Sequence, residues 1–257
     1  MIHVNSLWIG NRLSNLELTA IKSHIKVGHT YHLWCYEEIE NVPDEVIVED
    51  GERILSGEEI WCYQVGAEKG SYSAFSNLFR YSLLMERDGW WVDTDVVALK
   101  PFDFDDYCVF ASERCKDWSV VPTTCVIKCP KGLAEECFNF SYHQNRSILR
   151  WGTIGPKLLG RVIDNWPLDM LSKYVQPPET FCPTNWFDAE YDPVIHNPPD
   201  LSKSYAVHMW HEMWRRAGID KDAEFEKDCL YERLKRLYLY PHSEECREEH
   251  SPSLKLL

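Results

Sequence analysis

Two aspartates, Asp93 and Asp95, stand inside the otherwise apolar and aromatic run WWVDTDVVAL at residues 90–99. Side chains alternate along a strand, so Trp91, Asp93 and Asp95 would share one face and Val92, Thr94 and Val96 the other. Two carboxylates on one face repel each other, and burying either without a partner costs several kcal/mol. A hard divalent cation answers both problems. Mg²⁺ or Mn²⁺ takes oxygen ligands and keeps positions open for water and phosphate oxygens. The plain alternative is a polar strand end whose carboxylates face solvent. A helix with an inward-capable Arg80 precedes the pair. Two weaker sets also stand out. His208 and His211 form an H-x-x-H, and Cys125 and Cys129 come nearest to a C-x-x-C. Neither set shows the further ligands that zinc requires.

The elements that must position these residues read as alternating strands and helices. IHVNSLWIG is a short apolar run ending at Gly10, consistent with a buried first strand. A helix follows, with Ser14 as cap and Glu17 closing a capping box. Leu18, Ile21 and Ile25 lie on one face, and Gly28 is the stop. TYHLWCY and EVIVED are the next strands. SYSAFSNLFRYSLLMERDG is a helix capped by Ser71 or Ser73, with Ala74, Leu78, Tyr81 and Met85 as its apolar stripe and Gly89 as its end. The Asp-bearing strand begins at once and stops at Pro101. The pair therefore falls at the C-terminal edge of a largely parallel sheet, where ligands of open α/β sheets gather. Beyond Pro101, YCVFASE and TTCVIKC read as strands, and GLAEECFNFSYHQN and GPKLLGRVIDNW as helices. A Pro-rich stretch, QPPETFCPTNWFDAEYDPVIHNPPD, is expected to cross the surface. YAVHMWHEMW follows, then a charged helix from about Asp220 to Leu237.

The bulk composition narrows the class. The chain has 257 residues, 44% of them hydrophobic and 13% aromatic, enough for a substantial core and against global disorder. A net charge of −14 argues against a nucleic-acid partner, because no basic stripe exists to displace counterions. Eleven Trp suit either a core or a ligand cleft that takes sugars. No run approaches a membrane span, and MIHVNSLWIG lacks the basic and apolar regions of a signal peptide. Reduced thiols in the cytoplasm are therefore expected for the ten Cys, with peripheral contact at the inner membrane face allowed and secretion with disulfides as the alternative.

The segment SAFSNLFRYSLLMERDGWWVDTDVVALKP resembles the core of the DXD-containing retaining glycosyltransferases. These are the family-32-like group that includes a yeast mannosyltransferase, the α-1,4-galactosyltransferases and, more distantly, the clostridial glucosylating toxins. Three other segments agree in order. IHVNSLWIG is similar to the group's first strand, WGTIGPKLLGRVI to its Thr-Gly-Pro helix start, and VHMWHEMW to its late His with a Trp six residues on. The resemblance spans roughly residues 1 to 215.

The resemblance implies a GT-A fold, a Rossmann-like mixed α/β sheet flanked by helices, in a single catalytic domain over residues 1–257. Residues 1–100 would be the nucleotide-sugar-binding half, 101–219 the acceptor half with the late motif, and 220–257 a C-terminal helix and acidic tail. It implies a hexosyltransferase that uses Mn²⁺ or Mg²⁺ and a nucleotide-sugar donor, a UDP-sugar first among them, with a glycan or lipid-linked oligosaccharide as acceptor and retention of configuration. By the same resemblance, Trp8 would stack on the base and Arg80 would contact the donor. Asp93 would face the ribose and sugar, Asp95 would ligate the metal, and His208 and Trp214 would lie near the metal and diphosphate. Trp91 and Asn77 complete the expected donor site. Three positions depart from the pattern. Asn77 replaces the usual Asp, Asp88 replaces the first Gly of a pair, and Met213 replaces a small Ser. Glu113, Asp117 and Asp188 fall in the acceptor half, and spacing promotes none of them to a catalytic role. Two other readings are a non-catalytic nucleotide-sugar or carbohydrate-binding protein, which Asn77 favours, and a metal-dependent phosphohydrolase, which a single acidic pair disfavours.

Overall fold

A computed structural model of the chain describes residues 1–240. The acidic tail lies outside these described residues. β1 (Ile2–Leu7) leads through Ser14 into α1 (Asn15–Lys26). The Ser14 side chain caps the Leu16 amide and Glu17 returns to the Ser14 amide, so the expected capping box forms, a device worth about 1 kcal/mol. Gly28 turns the chain at φ 89°, a left-handed conformation. β2 (His29–Cys35) and β3 (Ile47–Asp50) follow. α2 (Ser73–Glu86) buries Ala74, Leu78 and Tyr81, three of the four residues of its expected stripe. Its cap differs from expectation. Tyr72 occupies the cap position with no side-chain hydrogen bond, because the Ser71 hydroxyl sits only at the edge of reach of the Ser73 amide, at 3.4 Å. Gly89 does not end this helix, which stops at Glu86. It opens the next strand at φ 131°, where a Cβ would stand 3.1 Å from the His3 carbonyl.

The expected strand over residues 90–99 is two strands. β4 (Trp90–Val92) and β5 (Val96–Ala98) are separated by a turn that carries both aspartates, closed by Val96 N–H donating to Asp93 O at 3.0 Å. β4 belongs to the main sheet, and β5 turns away to pair antiparallel with β8 (Ala206–His208). Aspartate is a poor strand former, and the turn gives both carboxylates room.

The chain continues through β6 (Val109–Arg114), β7 (Val120–Lys128), α3 (Lys131–Tyr142), α4 (Pro156–Ile163), α5 (Leu168–Tyr174) and α6 (Pro178–Phe181). After β8 come α7 (His211–Ala217) and α8 (Leu230–Leu234). The main sheet has the order β3-β2-β1-β4-β7-β6. The first four strands in that order are mutually parallel, and β7 and β6 are antiparallel additions. The mixed sheet with flanking helices agrees with the expected class. Alternation assigns Val4, Trp90 and Val92 to one apolar cluster and Leu7, Trp91 and Phe110 to another, on opposite faces of the sheet. A third cluster joins α1, β5, β8 and the last helices.

Two other expectations change. The Pro-rich stretch is not a surface crossing: Phe181, Cys182, Ala189, Val194 and Ile195 are buried, because it runs beneath β8 and closes the first and third clusters. The continuous helix from Asp220 to Leu237 is instead a loop followed by α8 and a wider turn at Lys235–Leu239. The loop brings the Phe225 ring against both Trp214 and Tyr231, at 5.9 and 6.0 Å. No helix among the described residues is long and apolar enough to cross a membrane.

Candidate active site

A cavity of about 790 Å³ opens at the C-terminal ends of β1 and β4, bounded by α2, the start of α4 and α7. Trp8, Trp91, Trp151, Trp186 and Trp210 line it, so five of the eleven Trp serve the cleft, while Trp34, Trp90 and Trp214 are buried in the core and Trp118 is exposed. Asp93 and Asp95 sit at its floor. Asp93 is fixed from the main sheet: its amide donates to Cys125 O at 2.8 Å, and its Oδ1 accepts from Trp91 Nε1 at 2.7 Å and from Arg80 Nη2 at 2.5 Å. Asp95 is fixed from the late segment. Its carbonyl accepts from Met209 N–H at 2.9 Å, and its Oδ2 accepts from His211 N–H at 2.6 Å. His208 Nε2 lies 3.3 Å from the same oxygen.

The late segment is shaped for this contact. Trp210 adopts the left-handed conformation at φ 55°, unusual for a bulky residue. That bend ends β8 at His208 and starts α7 at His211, which turns the first free amide of the helix onto Asp95. The Trp210 indole is tied down by Thr184 O at 3.1 Å.

Each carboxylate thus has its own counter-charge. Burial raises the Asp93 carboxyl above its ordinary range, and Arg80 offsets only part of that. Burial would raise Asp95 too, but His208 and the His211 amide overcome it and hold the group well below the carboxylate range. The His208 imidazole, despite burial, is driven well above its ordinary value by Asp95. The floor is a pair of ion pairs, Arg80–Asp93 and His208–Asp95, set edge to edge. The ligand atoms of Asp93, Asp95 and His208 lie within 4.8 Å of one another. Two carboxylates and one imidazole form a donor set suited to Mn²⁺ or a similar divalent ion. His208 Nε2 can serve only after losing its proton, which a cation would displace.

The other expected residues divide. Arg80 is buried, with Nη1 on Asn77 Oδ1 and Nη2 on Asp93, and its guanidinium lies over Trp91 at 4.8 Å from the ring centre. It therefore fixes Asp93 and Asn77, both of which line the cavity. Asn77 Oδ1 also accepts from Thr124 Oγ1 at 3.3 Å, and Gly155 packs against the same amide. Trp8 lines the cavity mouth, with His211 against one ring face at 6.5 Å and Lys221 5.3 Å from the ring centre. Trp214 is not brought to the cavity. It is fully buried in the third cluster and donates to Met209 O at 2.8 Å, so it supports the turn that carries His208 and His211. Met213 does face the cavity. Glu113 is a lining residue whose carboxyl is raised by burial, whereas Asp117 and Asp188 are exposed and occupied by Ser119 and Asn185. The His211 amide, Trp210 and Cys182 had no sequence signal beyond their closeness to His208 or their presence in the Pro-rich stretch. Cys129 lies away from Cys125, whose neighbour is Cys182.

The fold and site define an α/β domain with a carboxylate–imidazole cluster in a Trp-lined cleft. No protein-family profile matches the chain. A curated human (Homo sapiens) α-1,4-N-acetylglucosaminyltransferase is 25% identical over 166 residues, covering 60% of this chain and 47% of the relative. The chain therefore spans about half the length of that relative. Among solved structures, PaToxG glycosyltransferase is similar with a TM-score of 0.47 at 14% identity over 92% of this chain and 84% of its own. Galactosyltransferase LgtC, in complex with donor and acceptor sugar analogues, gives 0.49 at 13% identity over 96% of this chain and 99% of its own.

Proposed function

We propose that this chain is a metal-dependent glycosyltransferase of the GT-A type. It would move a hexose from a nucleotide-diphosphate sugar, a UDP-sugar first, to a glycan or lipid-linked oligosaccharide with retention. The observation that carries the reading is the convergence of Asp93, Asp95 and His208, from two distant segments, at the floor of a cleft wide enough for a nucleotide sugar. The curated relative and the order of four motifs support the same class. A bound Mn²⁺ or Mg²⁺ supplies Lewis-acid stabilisation of the departing diphosphate. The residues of this chain do the rest. Asp95, oriented by the His211 amide, and Asp93, oriented by Arg80 and Trp91, would hold the cation together with His208. Trp8, at the cavity lining, would offer a face to the base. The single-domain division, with donor binding before residue 101 and acceptor binding after it, is part of the same proposal.

The test is thermal unfolding of the protein with UDP or GDP, each with and without Mn²⁺, followed by donor hydrolysis and transfer across a panel of UDP-sugars. A ligand that binds only the native state raises the midpoint by mass action. The expected result is a UDP shift that needs Mn²⁺, and loss of both shift and transfer in Asp95→Asn. A UDP shift that is indifferent to Mn²⁺ and to Asp95→Asn would overturn it. One observation favours a second reading, a non-catalytic nucleotide-sugar binder: both acceptor positions of Asn77 Oδ1 are taken by Arg80 and Thr124, so no carboxylate is offered there to donor hydroxyls. Metal-dependent binding without turnover of any donor would select it.

A further inference from the structure

His208 has two nitrogens, and the proposed hard-ion site uses only Nε2. Its Nδ1 points to the opposite side, toward a pair of buried thiols. Cys182 Sγ lies 3.9 Å from Nδ1, and Cys125 Sγ lies 3.4 Å from Cys182 Sγ. The ligand atoms of Cys125, Cys182 and His208 all fall within 4.8 Å of one another, and all three residues are buried. Tetrahedral zinc with ordinary bond lengths separates two thiolate sulfurs by about 3.8 Å and a sulfur from an imidazole nitrogen by about 3.6 Å. The observed spacings differ from these by a few tenths of an ångström. A disulfide would need sulfurs about 2.0 Å apart, so 3.4 Å is thiol spacing. The three ligands come from β7, from the residue after α6 and from β8, and the flanking backbone is well tied, with Asp93 N–H on Cys125 O and Cys182 N–H on Pro178 O.

We infer that Cys125, Cys182 and His208 Nδ1 form a second cation site, for a thiophilic ion such as Zn²⁺, back to back with the Asp93–Asp95 site and sharing His208 with it. Cys125 also lines the cavity, which leaves a path for entry and a fourth position for water. Filling the site releases three protons to solvent, one from each cysteine as it binds as a thiolate and the Nδ1 proton of the His208 imidazolium. With Nδ1 on the ion, Nε2 carries the remaining imidazole proton and donates it to Asp95, 3.3 Å away. That is the carboxylate–histidine–metal arrangement in which the carboxylate orients the ligand. The two sites therefore exclude each other at His208: a hard ion needs Nε2 without its proton, and the thiophilic ion leaves that proton in place. Zinc would act as an antagonist of Mn²⁺ at the cleft floor.

The inference shares His208 with the proposed function, but its test does not depend on transfer. Fully reduced protein is titrated with Co²⁺ alone, and the near-ultraviolet thiolate-to-cobalt absorption is followed. One equivalent per chain is expected to give the band, and Zn²⁺ to abolish it. Cys182→Ser and Cys125→Ser, near in size and checked for native near-ultraviolet circular dichroism, should lose the band. Asp93→Asn, which touches only the hard-ion site, should keep it. Asp95→Asn should weaken cobalt binding by about 10–100-fold through the lost orienting contact. A band unchanged in well-folded Cys182→Ser, no band in the reduced protein, or a Cys125–Cys182 disulfide in protein purified under reducing conditions would overturn the assignment. Retention of the band in Asp93→Asn protein that neither binds UDP nor transfers sugar separates failure of one site from failure of the other.

Discussion

Lowering the pH should destabilise this fold through one buried histidine pair, His24 on α1 and His29 at the start of β2. Their hydrogen bonds define the tautomers. Phe102 N–H donates to His29 Nε2 at 3.0 Å, so that nitrogen carries no proton and the His29 proton is on Nδ1. His29 Nδ1–H then donates to His24 Nδ1 at 2.8 Å, which leaves the His24 proton on Nε2, aimed at Val96 O at 3.1 Å. Every lone pair and every proton is used, so an added proton would have to face an N–H. Burial lowers the His29 pKa to about 4 and drives His24 down in the same direction. Unfolded histidine titrates near 6.5, so the unfolded chain binds protons that the native one refuses and stability falls as pH falls. The contribution is complete above pH 6.5 and is lost as pH drops from there to about 4. That gap corresponds to about 3 kcal/mol for His29, a large share of a typical domain's stability. His24 adds in the same sense. Urea unfolding curves from pH 7.5 to 4.5 for the native sequence and for His29→Gln measure it. The Gln carbonyl can still accept from Phe102 N–H but does not titrate, so between pH 7.5 and 4.5 the variant should lose about 2.5 kcal/mol less than the native protein. Equal losses in the two proteins would refute the reasoning, because other titrating groups are common to both.

Arg80→Met should destabilise the fold by about 3–5 kcal/mol in urea unfolding, since it leaves Asp93 buried without its counter-charge; added Mn²⁺ should restore part of the loss. Because His208 must shed a proton to ligate through Nε2, Mn²⁺ binding should release up to one proton and tighten as pH rises, read as a dependence of calorimetric heat on buffer ionisation. Gly89→Ala should cost about 1–3 kcal/mol, measured as a lowered unfolding midpoint, because φ 131° is strained for Ala and its Cβ would press on the His3 carbonyl.

Much of the scaffold was legible in sequence because it rests on local rules. The capping box at Ser14, the turn at Gly28 and the stripe on α2 need only near neighbours. What was not legible depends on distant partners. WWVDTDVVAL has the pattern of one strand, but β5 pairs with β8 rather than extending β4, and that choice is made by a segment more than a hundred residues downstream. Trp214 is expected at the donor site only through the resemblance of the late motif, and a helix that begins at His211 turns its ring into the core. The charged run after Asp220 carries helical composition, and Phe225 breaks it by seeking Trp214 and Tyr231.

The Asp-x-Asp triplet is in this sense less a motif than half of one. Asp93 belongs to the main sheet and is complete when Arg80 and Trp91 are in place. Asp95 is complete only when β8 has docked on β5, because His208, the His211 amide and the Met209 amide all arrive with that pairing. The β5 strand is in turn fastened to α1 by Ser23, which accepts from Ala98 N–H at 2.7 Å, and by His24, which donates to Val96 O. The histidine pair that governs acid stability is therefore also a tether of the Asp93–Asp95 floor. Loosening α1 from β5 should separate the two aspartates before it unfolds the sheet. In mildly acidic solution, Mn²⁺-dependent nucleotide binding should fail at a higher pH than the global fold, and in His29→Gln the two losses should lie closer together.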